Sequence, residues 1–244
     1  MRVKLIVAYD GTRYHGWQLQ PNALTVEAVL NKALGELLGE EILVTGASRT
    51  DAGVHSCGNV AVFDTDTRIP PDKISYALNQ KLPEDIVVQD SCEVPEDFHP
   101  RHCDSRKTYE YRILNRRFPD PNRRLDTYFY HHDLDVEKMR EASVFFWGEH
   151  DFKSFCSVKT AAESTVRTVY DLKVERQGDV IMIRITGNGF LYNMVRIIAG
   201  TLIQVGNGTI EPGEVKHMLE ALDRSAAGPT APARGLTMLG IEYE

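Results

Sequence analysis

A mixed α+β architecture is expected: two ferredoxin-like (RRM-like) units, their antiparallel sheets joined side by side, with helices on one face and a central basic cleft. Two observations lead to it. Residues 1–104 read in the order β-α-β-β-α-β, the split-βαβ order in which two helices cover one face of an antiparallel sheet. From residue 133 the order is helix, strand, strand, helix, helix, strand. Prefixed by one preceding strand, that nearly repeats the first half, although no convincing sequence repeat links the two. The expected units are 1–104 and 105–244, and 244 residues suffice for two small domains.

Each element has its own signal. Residues 2–9 alternate and are rich in Val, Leu and Ile, a strand. A polar, Gly-punctuated loop with Tyr14 and Trp17 follows. Val26, Val29, Leu30, Ala33, Leu34, Leu37 and Leu38 recur at helical spacing, predicting a helix over 25–38 capped by Thr25 and ended by Gly39. Strands are expected at 42–45 and 60–63, a second helix over 70–82 with proline near its start, and a strand at 86–88. Residues 108–114 alternate again. A two-proline turn at 118–124 leads to a short strand at 125–130, and 136–147 has a helical stripe. Residues 152–165 show no clear period. A hairpin turns around Gln177-Gly178-Asp179, helices are predicted over 190–205 and 212–222, and a last strand over 236–243.

Composition narrows the class. A hydrophobic fraction of 42% and a charged fraction of 26% are those of a soluble globular chain. No apolar run approaches the roughly 18–20 residues that cross a bilayer, and the first residues already read as a strand, so a cytoplasmic protein without membrane contact is expected. Cys57, Cys92, Cys103 and Cys156 form no C-x-x-C pair and are expected as reduced thiols. Zinc binds ligands such as Cys92, His99, His102 and Cys103. Adjacent His102 and Cys103 would point to opposite sides of an extended segment, so no metal is expected; His131-His132 reads as loop.

The net charge of −7 argues against a nucleic-acid partner, but its distribution argues for one. Residues 101–124 hold eight Arg or Lys against three acids. Within this segment Tyr109 and Tyr111 alternate with charges. They are either stacking platforms for splayed RNA or ordinary aromatics on the inner face of a strand. Lys107, Arg116 and Arg117 are candidate phosphate contacts.

The segment that cannot belong to a core is Gly46-Ala47-Ser48-Arg49-Thr50-Asp51-Ala52-Gly53-Val54-His55. Asp51 is its only carboxylate and Arg49 its only full positive charge. A carboxylate in such a turn is a nucleophile, a general base, a metal ligand or a turn cap. Farther on, Arg196 sits among the apolar residues of the 190–205 segment. It either needs a buried partner, for which Asp51 is a candidate, or lies on the polar face with Asn193.

The Ser48–His55 motif resembles the signature of the tRNA pseudouridine synthase A family. Other blocks match in order: Tyr9-Asp10-Gly11-Thr12 with Gly16-Trp17-Gln18, Phe98-His99-Pro100-Arg101, Tyr109-x-Tyr111, Gly187-x-Gly189-Phe190-Leu191 with Met194-Val195-Arg196, and Ala231-Pro232 with Gly235-Leu236. The resemblance implies an isomerase that converts uridines at tRNA positions 38 to 40 to pseudouridine, working as a homodimer without cofactor or metal. It implies Asp51 as nucleophile, Tyr109 against the target base, Arg196 paired with the aspartate and Arg49 in place of the flipped nucleotide. His55, Asn193 and Leu236, in or beside the matched blocks, join the substrate-contact candidates. Ser48 stands where the family often has Gly, and His102 where it often has an aromatic residue. Two other classes compete: a non-catalytic RNA-binding protein of paired ferredoxin-like units, and a small-glycoside hydrolase, for which the required second carboxylate is missing from the motifs.

Overall fold

The computed structural model describes residues 1–157 and 163–244. The chain forms the expected mixed α+β class, with five α-helices among the described residues and mostly antiparallel strands. It divides into two compact units, one of Met1–Asp104 with Met238–Glu244, the other of Ser105–Thr237.

In the first unit β1 (Arg2–Tyr9) is followed by α1 (Val26–Leu38), β2 (Thr45–Gly46), β3 (His55–Asp64), α2 (Ile74–Asn79) and β4 (Ile86–Val94). The sheet order is β4-β1-β3, all antiparallel, with Val3 opposite Phe63 on one side and Glu93 on the other. Every second residue of β1 is buried, so Val3, Leu5, Val7 and Tyr9 share one face with the apolar stripes of both helices: Val26, Leu30 and Leu34 of α1, Ile74 and Leu78 of α2. The Thr25 hydroxyl accepts the Ala28 amide, and Gly39 ends α1 in the left-handed conformation, as expected for these caps. The chain's last strand, Leu236–Tyr243, lies beside β3, where Gly58 passes close to the Leu239 carbonyl. Its periodicity is local information, which cannot tell which unit a terminal strand will join.

The expected strand at 42–45 shrinks to Thr45–Gly46. The Val44 amide is bonded to the Asn31 side chain (2.9 Å) instead of a neighbouring strand, and Leu43 is left 68% exposed. Residues 70–82 form a 3-10 turn, Pro71–Lys73, and then a short α2.

In the second unit β5 (Ser105–Asn115), β6 (Tyr128–Tyr130), α3 (Val136–Ser143), β7 (Gly148–Asp151), β8 (Val166–Gln177), β9 (Val180–Gly187), α4 (Met194–Gly206) and α5 (Glu214–Glu220) follow in order; the last strand, Leu236–Tyr243, is β10, and from Met238 on it belongs to the first unit. Strands run β5-β9-β8-β7, all antiparallel, and β6 pairs with β5 in parallel. Tyr109 faces Ile185 and Tyr111 faces Ile183 across the β5–β9 pair. These residues are buried, as are Leu172 and Val174 of β8, and α3 packs on β8 and on α4. Strand β7 gave no sequence signal, because a four-residue polar edge strand carries no apolar alternation. Residues 158–162 of the aperiodic stretch lie outside the described residues.

Helix α4 begins four residues later than its apolar period suggests. Asn193, just before it, is left-handed (φ 63°), a conformation Asn tolerates better than other side chains. Among the described residues no helix is long and apolar enough to cross a membrane.

Candidate active site

The Asp51 turn of the first unit is held by backbone on every side. Val54 N–H donates to Asp51 O (3.1 Å), closing a β-turn whose third residue, Gly53, has the positive φ (77°) that type II turns require there. Gly53 N–H donates to Tyr14 O, Trp17 N–H to Thr50 O and Ala47 N–H to Val60 O. Asn59 donates to Ser48 O (3.0 Å), and the Tyr9 and Thr50 hydroxyls meet at 2.8 Å. Asp51 is half-buried and Arg49 exposed, while Ser48 and Thr50 on either side of Arg49 point inward. Such a turn presents two polar side chains on a backbone with little freedom to move, the arrangement a preorganised site needs.

The close approach of the 10–17 loop explains two glycines. A Cβ on Gly11 would lie 2.0 Å from Val54 O, and one on Gly16 (φ 83°) 2.4 Å from Thr50 O. His55 stands behind the turn, 7% exposed. Its Nδ1 accepts the Gly11 amide (3.1 Å), so the neutral ring carries its hydrogen on Nε2, which has no hydrogen-bond partner among the described residues. Asp10 lies 3.1 Å from the same Nδ1. Burial raises its carboxyl, but bonds from the hydroxyl and amide of Thr12 outweigh that and hold it below the usual carboxylate range.

Arg101, which sequence reasoning did not select, donates from Nε to Gly46 O (2.7 Å) at the entry to the turn. Burial lowers its pKa first, and the nearby charge of Arg49 adds to that. His99 Nδ1 accepts the Arg101 amide, and the His99 and His102 rings lie 4.1 Å apart. Among the described residues no group of three or more His, Cys, Asp or Glu is arranged to hold a metal.

In the second unit, Tyr109 of β5 is 8% exposed and meets Phe190 edge-on, ring centres 5.2 Å apart. Tyr111 is fully buried, and its hydroxyl donates to Pro232 O (2.8 Å), which makes it a core residue. Arg196 is half-buried: Nε donates to Ala231 O and Nη1 to Asn193 Oδ1, both at 2.8 Å. The Ala231 amide returns a bond to Arg196 O (3.0 Å). This strap along α4 requires Gly200, where a Cβ would lie 1.8 Å from Pro229 O. Arg196 and Asn193 are thus brought together, as one reading of their spacing allowed. Leu236 is buried, Lys107 half-buried, and Arg116 and Arg117 exposed at the end of β5.

Residues 5–102 and 142–244 match the family model described as tRNA pseudouridine synthase. The matched residues include Asp51 and Arg196; Tyr109 and most of the basic segment lie outside them. Proteins called tRNA pseudouridine synthase A are similar end to end. That of Thermoanaerobacter sp. (strain X514) is 49% identical over 241 residues, covering 99% of each chain. That of Ruminiclostridium cellulolyticum is 49% identical over 243 residues and that of Brevibacillus brevis 48% over 242, each again covering 99% of both chains. A chain of a solved structure titled as a Cbf5-Nop10-Gar1 complex is 13% identical with a TM-score of 0.37, covering 96% of this chain and 56% of that one, too distant a likeness to bear on the site. By the family match and the end-to-end identity, the chain belongs to the tRNA pseudouridine synthase family.

Proposed function

We propose that the chain converts uridines of the tRNA anticodon stem-loop, in the region of positions 38–40, to pseudouridine with Asp51 as nucleophile. The observation that carries this reading is the family match, which spans the whole Asp51 turn. The reaction breaks the N1–C1′ bond, turns the uracil over and joins C5 to C1′. C5 loses a proton and N1 gains one, so no redox equivalent or phosphate is consumed and the reading requires no cofactor.

The chain's residues take distinct parts. Asp51 must be ionised to attack, and Arg196, itself held by Ala231 and Asn193, is the cation proposed to favour that form. Tyr109 lies against the target base and supplies or accepts a proton. Flipping the base costs a few kcal/mol, which exposed Arg49 offsets by filling the gap. Lys107, Arg116 and Arg117 contact phosphates. Buried His55 and Leu236 are assigned to support the site without touching RNA. The protein is proposed to work as a homodimer in the cytoplasm, with the nucleophile turn on the first unit and the Tyr109 strand and Arg196 helix on the second.

The test is incubation with an unmodified tRNA transcript and detection of the mass-silent product by carbodiimide labelling. Asp51→Asn is expected to abolish product while tRNA affinity stays within about threefold, because phosphate contacts dominate binding. Product formation by that variant would remove Asp51 from the nucleophile's role.

A further inference from the structure

Loop 116–124, after β5, holds a large apolar side chain out in solvent among arginines. Phe118 is 62% exposed. A single exposed aromatic is ordinary on a protein surface; what distinguishes this one is how it is held. Arg116 donates from Nε to Phe118 O (2.8 Å), and its Nη1 lies 3.4 Å from Asp179 in the β8–β9 turn. Asn115 N–H donates to Asp179 O (2.8 Å), tying the same turn to the base of the loop. Pro119 and Pro121 restrict φ on either side of Asp120, whose carboxylate caps the 3-10 turn Pro121–Arg123 by accepting the Asn122 amide (2.9 Å). Arg124 folds back on Pro121 O (3.0 Å). The loop is therefore fixed before any partner arrives, and ordering Phe118 on binding costs little entropy.

The Arg117 guanidinium carbon sits 5.0 Å from the centre of the Phe118 ring. Ring and guanidinium are both planar groups on which bases stack. Within 116–124 four arginines face one carboxylate, Asp120. A polyanion with an apolar planar face complements such a surface. A base inside a duplex has its faces covered by its neighbours, so the fitting partner is an unpaired nucleotide.

We propose that Phe118, backed by Arg117, is a stacking platform for an unpaired base of the RNA substrate. The proposal rests on the tRNA reading above and adds a contact that the arginines alone do not supply. Stacking on an aromatic side chain strengthens binding without releasing counterions, whereas an arginine–phosphate contact releases them. The two contributions are therefore separable by salt.

The experiment first establishes that the wild-type chain binds and modifies an unmodified tRNA transcript. It then measures tRNA affinity at several salt concentrations for Phe118→Ala, Phe118→Leu, Phe118→Trp and Arg117→Ala. Phe118→Ala is expected to bind about five- to thirtyfold more weakly with an unchanged salt slope. Phe118→Trp should stay within about twofold of wild type, and Phe118→Leu, apolar but not planar, should resemble the alanine variant. Arg117→Ala should flatten the slope by about one unit. Wild-type affinity in Phe118→Ala, or equal affinity in the Leu and Trp variants, would overturn the proposal and leave the tRNA reading standing. A change in self-association by sedimentation with tRNA affinity intact would also overturn it, assigning the ring to a protein contact. A folded wild-type chain that neither binds nor modifies tRNA would remove the underlying reading, and the platform with it.

Discussion

The Tyr9 hydroxyl lies 2.8 Å from the Thr50 hydroxyl, in a buried bond joining the last residue of β1 to the residue before Asp51. A strand in the middle of the sheet thereby sets the position of the proposed nucleophile. Tyr9→Phe removes one neutral buried hydrogen bond and is expected to cost about 1 kcal/mol in denaturant unfolding. Pseudouridine formation should fall by more than that loss accounts for, roughly tenfold, because the carboxylate is no longer positioned by the strand. Equal kinetics for the two proteins would show that the backbone bonds alone hold the turn.

Gly16 and Gly39 illustrate two different reasons for a glycine in a turn. Both have positive φ, but a Cβ on Gly39 meets nothing within 4 Å, whereas one on Gly16 would lie 2.4 Å from the Thr50 carbonyl. Gly39→Ala should cost about 1 kcal/mol of stability and leave activity intact. Gly16→Ala should cost several times as much and displace the turn. Urea titration and the modification assay together discriminate the two.

Asn193 combines a left-handed backbone with a side-chain oxygen bonded to Arg196 (2.8 Å). Both Asn193→Gly and Asn193→Ala remove the oxygen and also the Nδ2 donor to Ser157 Oγ (2.7 Å); the glycine relieves the backbone, whereas the alanine adds about 1–2 kcal/mol of backbone strain. The glycine variant should be the more stable in thermal unfolding, and both should lose activity if the oxygen orients Arg196. Wild-type turnover in the glycine variant would leave Asn193 with a backbone role alone.

Glu110, only 1% exposed, accepts Arg112 Nε on one oxygen and Arg184 Nη2 on the other, both at 2.7 Å. Burial raises its carboxyl, but the bonds from Arg184 and Arg112 outweigh that and hold the pKa below the ordinary value. A carboxyl depressed in the folded state contributes stability that is fully present above its unfolded pKa, about 4.3, and is lost as pH falls through the folded value. Glu110→Gln should therefore be destabilised by about 1–2 kcal/mol at pH 7, less than the roughly 3–5 kcal/mol of a fully buried broken pair because both arginines reach solvent. The difference from wild type should shrink as the pH of the unfolding titration is lowered below 4. A difference independent of pH would point to packing instead of charge.

Elements set by local chemistry were legible in advance. Helix α1 with its Thr25 and Gly39 caps, the alternation of β1 and the β8–β9 hairpin follow from spacing alone, since caps, stripes and turns are made by residues close in the chain. Errors arose where a distant group overrode the local preference. Asn31 took the Val44 amide that a strand would have used, Asn193 turned left-handed and delayed α4, and the polar edge strand β7 formed only because β8 was beside it. In the candidate site, Asp51, Arg49, Tyr109 and Arg196 stood out by residue type and motif. Arg101 was visible only as part of a matched block and of the basic segment; its bond to the Gly46 carbonyl was not, because it joins residues fifty-five apart in the chain.

By itself the sequence determined the mixed α+β class, the order of elements and a polar turn around Asp51, because composition, period and turn chemistry are local. Only the tertiary structure decided what holds that turn: Tyr9 on Thr50, Arg101 on Gly46 and His55 on the Gly11 amide. It also decided that Arg196 is gripped by Ala231 and Asn193, and that Phe118 is held outward on a rigid loop. Hydrogen bonds between remote residues leave no periodic trace in a chain, and they exist only once folding has brought their partners within about 3 Å.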